Sequence, residues 1–88
     1  MNTCIISTFD CTFDEFKDKV ESDRSIWGQY VENWTIAKVD EHKSIMVMNV
    51  LDFEALEAFM ATDEIVVWDK ENGCVDTLYS MDAMKEIQ

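Results

Sequence analysis

Proline is absent from this 88-residue chain, glycine occurs twice, histidine once and cysteine three times. Without proline there is no polyproline spacer, and no Gly/Ser-rich tract replaces it, so residues 1–88 read as one domain without linkers or repeats. Cys4, Cys11 and Cys74 are odd in number and lack C-x-x-C spacing. Together with His42 as the sole histidine, that excludes a disulfide framework and a zinc site. Free thiols in a reducing cytoplasm are the expectation, with no metal and no cofactor. Basic residues are scarce as well: seven Lys and Arg stand against nineteen Asp and Glu, a formal net charge of −12. Such a field repels phosphate backbones and anionic lipid headgroups, which excludes nucleic acid and membrane surfaces as partners and leaves a solvated acidic exterior. Long apolar runs are missing too. Met1 to Phe9 lacks the basic region and length of a signal peptide, and nothing approaches the ~20 apolar residues of a membrane span.

What is present is a folded, sticky small domain: 48% of the residues are hydrophobic and 11% aromatic. A chain of this length buries only about 60–65% of its unfolded surface, so it gains from pairing with a second copy. The runs Trp34 to Val39 and Ser44 to Leu51, joined by the polar residues Asp40 to Lys43, read as a β-hairpin. In the second run Ile45, Val47, Asn49 and Leu51 alternate with Met46, Met48 and Val50, so neither face is built for water. Before the hairpin, Thr3 to Phe9 alternates as a first strand. Thr12-Phe13-Asp14-Glu15 then forms a capping box that opens a helix. Phe13, Phe16, Val20, Arg24 and Trp27 continue it at three- and four-residue spacing until Gly28 ends or bends it. Gln29 to Asn33 is either a last helical turn or a loop. After the hairpin, Asp52 caps a helix carrying Phe53, Leu56, Phe59 and Met60, interrupted at Thr62-Asp63. Ile65 to Trp68 has strand propensity, yet its acidic entry and the Gly73 exit predict a second helical piece. Cys74 to Met81 is the last strand, and the tail Asp82 to Gln88 is a short helical turn or an arm onto a partner.

The order β-α-β-β-α-β predicts an α+β, ferredoxin-like domain, a four-stranded antiparallel sheet with its helices on one face. Its other face then needs a cover. The chain resembles the dimeric α+β barrel group, which includes the antibiotic-biosynthesis monooxygenases, and within it small uncharacterised proteins of marine bacteria and cyanobacteria. Phe13-Asp14-Glu15-Phe16, the apolar hairpin Trp34 to Val50 and the bipartite helix Phe53 to Asn72 carry the resemblance. It implies a homodimer with two sheets packed face to face, and a cavity between sheet and helices that holds a small apolar or aromatic molecule.

The residues offer such a cavity a lining. Phe16, Val20, Trp27, Tyr30, Trp34, Met48, Phe59 and Trp68 supply large, adaptable apolar surface. Arg24 interrupts the first helix's apolar stripe, where a guanidinium could pair an anionic head group. The resemblance also implies that Asn33 and Trp34 match the asparagine and tryptophan used by cofactor-free oxygenases, whereas His42 sits in the hairpin turn and not on a helix, away from a haem-ligating position. The leading expectation is binding of an acyl chain or polyketide-like ring. A cofactor-independent monooxygenase, which requires polar groups pointing into the pocket, and a ligand-free structural or regulatory dimer are the alternatives. Acylphosphatase chemistry, metal delivery, RNA recognition and iron–sulphur binding are excluded: Asp10-Cys11-Thr12 lacks the anion-binding arginine, and the cysteine pattern and the charge forbid the rest.

Overall fold

The computed structural model describes residues 1–87. The chain runs β1 (Thr3–Thr8), α1 (Phe13–Ser22), α2 (Arg24–Trp27), β2 (Val31–Asp40), β3 (Lys43–Val50), α3 (Phe53–Met60), α4 (Asp63–Glu71) and β4 (Val75–Ser80). All strand pairs are antiparallel and the order across the sheet is β2-β3-β1-β4. This is the ferredoxin-like arrangement, with each helix of the pattern split in two. Gln29 and Tyr30 form a turn, and β2 begins at Val31, three residues ahead of Trp34. The hairpin is tighter than its run of polar residues suggests, because Asp40 and Lys43 pair and leave Glu41-His42 as the turn. Residues 81–87 carry no helix, and Gln88 lies outside the described residues. No helix among the described residues is long and apolar enough to cross a membrane.

Local chemistry explains the boundaries. The Thr12 hydroxyl accepts from the Glu15 amide at 3.2 Å while Glu15 accepts from the Thr12 amide at 3.2 Å, so two of the free amide donors at the start of α1 are satisfied. Asp23 closes α1 and opens α2, and the indole of Trp27 donates to the Val20 carbonyl at 2.8 Å, tying the two pieces together. Asp52 caps α3 through the Ala55 amide at 3.0 Å. Between α4 and β4 Gly73 has φ +57°, a left-handed position in which the Asp10 side chain packs where a Cβ would stand.

Cross-strand register decides which residues meet the helices. Thr3, Ile5 and Ser7 of β1 and Ser44, Met46, Met48 and Val50 of β3 are buried under the helical layer. Cys4, Ile6, Ile45 and Val47 belong to the opposite face, beside Val39, Val75 and Tyr79, which are about half exposed. Both faces are therefore apolar in the interior strands, as the alternation predicted. β2 breaks this period with an irregularity between Glu32 and Thr35. There Asn33 has φ +52°, a conformation that asparagine tolerates better than β-branched residues. The extra residue lets both Val31 and Trp34 pack on the helical side, although they are three apart.

Asn33→Val should therefore lower stability by about 1–2 kcal/mol, the cost of forcing a β-branched residue left-handed, while Asn33→Gly should stay within a few tenths. Urea unfolding of the two variants checks this.

Candidate functional site

Under the helices the sheet is ordered in transverse rows. Leu78, Ile5, Met46 and Ile36 face one another across all four strands as an apolar row. The adjacent row is polar throughout: Asp76 opposes Ser7, Ser7 opposes Ser44, and Ser44 opposes Lys38. Between these rows and the helices lies a half-open cavity of about 100 Å³. Ile5, Met46 and Met48 form its floor. Phe16, Val20 and Trp27 line it from α1 and α2, and Leu56, Phe59, Met60, Ile65 and Trp68 from α3 and α4. The wall is stiffened by stacking. Phe16 lies parallel to Phe9 at 4.3 Å and meets Trp68 at 6.2 Å, which is how α4 grips the body.

Six of the residues singled out from the sequence, Phe16, Val20, Trp27, Met48, Phe59 and Trp68, line this one cavity. The other three lie outside it. Arg24 is exposed, its guanidinium 5.4 Å from the Trp34 ring centre, and Trp34 meets Trp27 edge-on at 5.1 Å, a cation–π and aromatic stack on the flank of the core. Tyr30 packs half-buried against the same core. Asn33 projects from the exposed bulge in β2.

Polar groups enter the cavity at two places. Near the α1 side, Lys19 bridges Asp23 at 3.0 Å and Glu64 of α4 at 3.4 Å. Burial alone would depress its ammonium, but the hydrogen bond and charge of Asp23, with Glu64 behind them, outweigh this and hold it above its ordinary value. At the polar row, Ser7 donates to Asp76 at 2.5 Å, the Cys74 thiol donates to the same carboxylate at 3.6 Å, and Asp69 reaches in from α4. Sequence reading missed this group. The visible signal is Asp76 sharing a strand face with Leu78, and its meaning depends on which face the helices cover.

Burial pushes the Cys74 thiol far up, and the charges of Asp76 and Asp69 push it further, so it stays protonated and is no nucleophile at neutral pH. Asp69 is likewise raised, by burial first and by the Asp76 charge second. The ligand atoms of Asp69, Cys74 and Asp76 lie within 4.8 Å of one another, the one such group among the described residues. A cation there would have to displace the thiol proton. What the three offer without one is two carboxylate acceptors beside a protonated thiol at the end of an apolar pocket. A wider groove of about 390 Å³ lies at the far end of the sheet between Val50, Phe53 and Leu78, with Asp82 at its rim. It has no comparable cluster.

No protein-family model matches the sequence, and no curated protein does. Solved structures match its fold. SnoaB, a cofactor-independent oxygenase from Streptomyces nogalater, superposes with a TM-score of 0.69 over 98% of this chain and 94% of its own, at 9% identity. An antibiotic biosynthesis monooxygenase matches with a TM-score of 0.53 at 14% identity, over 97% of this chain and all of its own. A protein assigned the same activity, from Deinococcus radiodurans, gives 0.51 at 7% identity over 98% of this chain and 96% of its own. The chain thus has the fold of the antibiotic-biosynthesis monooxygenase-like proteins, end to end, as its pattern suggested.

Because the raised Asp69 carboxyl resists ionisation in the folded state, stability is lost as the pH rises from the ordinary aspartate value of 3.8 through the folded value, above which the cost is complete. Below the ordinary aspartate value of 3.8 both folded and unfolded chains hold the proton and the cost vanishes. Asp69→Asn should therefore melt higher than the wild type at pH 7, and the two should converge as the pH falls below that value. Calorimetric melting across pH 3–7 reads the difference.

Proposed function

We propose that this protein is a homodimeric, cofactor-independent oxygenase or a closely related small enzyme, which holds a small apolar or aromatic molecule in the cavity between sheet and helices. The observation that carries the reading is the polar cluster Ser7, Asp69, Cys74 and Asp76 at the end of a largely apolar cavity. An enzyme needs such groups, and an inert core avoids them. Likeness to a cofactor-independent oxygenase over 98% of the chain supports it. Three free cysteines and the acidic charge fit a cytoplasmic setting.

The chemistry follows from the acceptor groups. A ring methylene flanked by activating groups can give up a proton to a carboxylate, and the carbanion left behind is electron-rich enough to reduce dioxygen. Conversion of CH2 to C=O with release of one water balances against one dioxygen, and the substrate supplies all the electrons. Asp76 suits the base, since Ser7 fixes its orientation and both stand inside the cavity. The open face of the sheet supports the dimer. Ile6, Ile45 and Val47 at its centre have no helix over them, and a second copy of the same face covers them in the barrel arrangement.

A second reading, binding without turnover, is favoured by Met46, Met48 and Met60 in the lining, because thioether side chains adapt to a guest of undefined shape. Acyl chains and polyketide-like rings are the guests it suits. A ligand-free dimer is the third outcome.

Dioxygen uptake with one- and two-ring activated methylene compounds separates these readings. The enzyme reading expects uptake that falls at least about 100-fold in Asp76→Asn, the usual worth of a general base, and that changes less than about threefold in Trp34→Phe or Asn33→Gly, which lie outside the cavity. Binding with no uptake leaves the second reading, and uptake indifferent to Asp76 removes the assigned base. For the dimer, Ile45→Lys together with Val47→Lys should convert the sedimentation coefficient to that of a monomer, and a wild-type monomer would overturn the barrel.

A further inference from the structure

The polar end of the cavity has a polarity of its own. Among its groups, Asp69 and Asp76 are acceptors once ionised, the Ser7 proton is committed to Asp76, and the Cys74 thiol points at the same carboxylate. The nearest cation, Lys19, is engaged by Asp23 and Glu64, so its charge is answered twice before a guest arrives. Arg24, the residue that could receive an anion, is spent on the Trp34 ring outside the cavity. Ser44, directly across from Ser7 on the helix-covered face, is 0% exposed and its hydroxyl has no hydrogen-bond partner among the described residues, but it does not line the cavity.

We infer that this cavity selects by charge: it takes a small ring whose polar end donates hydrogen bonds, an ammonium best and a hydroxyl next, and it refuses carboxylates. The inference rests on the reading of the cavity as a binding site. An ammonium brings three donors and a positive charge to the acceptors of Asp69 and Asp76. Its ring then lies among Phe16, Trp27 and Trp68, whose faces also favour a nearby cation. A carboxylate guest brings a like charge and no proton, and finds no free donor strong enough to hold it. The enclosed space of about 100 Å³ is below the roughly 150 Å³ that accommodates benzene in an engineered apolar cavity, so the ring is single and protrudes through the open side.

Benzylamine, benzyl alcohol and benzoate share one ring and differ at the polar end, and they are the probes. Amide and indole NMR shifts are followed during titration at pH 7 and 0.15 M salt, where the distant surface charges are screened. Benzylamine should shift Ser7, Cys74 and the Trp68 indole, with half-saturation at a concentration at least tenfold lower than benzoate and with the alcohol between them. In the double variant Asp69→Asn, Asp76→Asn the amine's advantage over benzoate should shrink to about threefold or less while the alcohol still binds. Asp69→Asn alone should lower it at least threefold, and this variant carries the test if the double variant does not fold. Glu54→Gln with Glu57→Gln, an equal charge change on the exposed side of α3, should leave it unchanged. Equal binding of all three probes, or an advantage that survives the double variant, overturns the charge selection while leaving the binding cavity intact. No shift at the cavity with any probe overturns both.

Discussion

A four-stranded sheet that is apolar on both faces cannot be satisfied by one layer of helices, and the remaining features of this chain follow from that constraint. The helical layer must cover Ile5, Met46 and Met48 with four short helical pieces in place of two long ones. Short pieces pack imperfectly at their junctions, and the cavity lies where they meet: α1 turns into α2 at Asp23, α3 into α4 at Ala61 and Thr62, and side chains from all four line it. The uncovered face carries the opposite need, since its centre is as apolar as the covered one and no helix lies over it.

Within the helical layer, charge substitutes for burial. α4 contributes no fully buried residue, and Trp68 and the Lys19–Glu64 contact connect it to α1. Half-buried Lys19 also holds Asp23 at the junction of α1 and α2, so one ammonium fastens three helices around the cavity mouth. Exposed ion pairs contribute little by themselves. This one matters through position, since the cover it fastens has few apolar contacts of its own. A guest larger than the enclosed 100 Å³ meets less resistance from α4 than from α1, whose Phe13 and Phe16 are buried.

Much of this was legible in the residues. The capping box at Thr12 and the break at Thr62 are interactions across three residues, and the exit at Gly73 is marked by glycine itself in a left-handed conformation, so spacing and residue type suffice to find them. The apolar lining was legible for the same reason, because Phe16, Val20 and Trp27 share a helical face by spacing alone. Arg24, Tyr30 and Trp34 fell outside it through features that spacing does not encode. Asp23 splits the helix and resets its phase before Arg24, and the left-handed Asn33 inserts a residue that decides where Trp34 points. The polar cluster was beyond reach for a further reason. Ser7 and Asp76 are 69 positions apart, and only the pairing of β1 with β4 places them on one row.

That cluster also stands where the backbone adds to its sign. Asp69 belongs to the last turn of α4, whose carbonyl end carries a partial negative charge that falls off within about one turn. The chain leaves through Asn72 and Gly73, and the Cys74 amide returns to the Asp69 carbonyl at 2.7 Å, fixing the thiol beside both carboxylates. Two acids, a thiol held protonated and a helix C-terminus thus converge on one end of an apolar space, while the nearest ammonium, Lys19, is engaged by Asp23 and Glu64. Burial first and the neighbouring Asp76 charge second raise the cost of ionising Asp69 and Cys74, which is why these two shift in the same direction. A fold stabilised by that arrangement alone would gain by replacing it with leucine and alanine. On the proposed reading, a proton donor or a cation entering the cavity relieves the repulsion that remains among these groups.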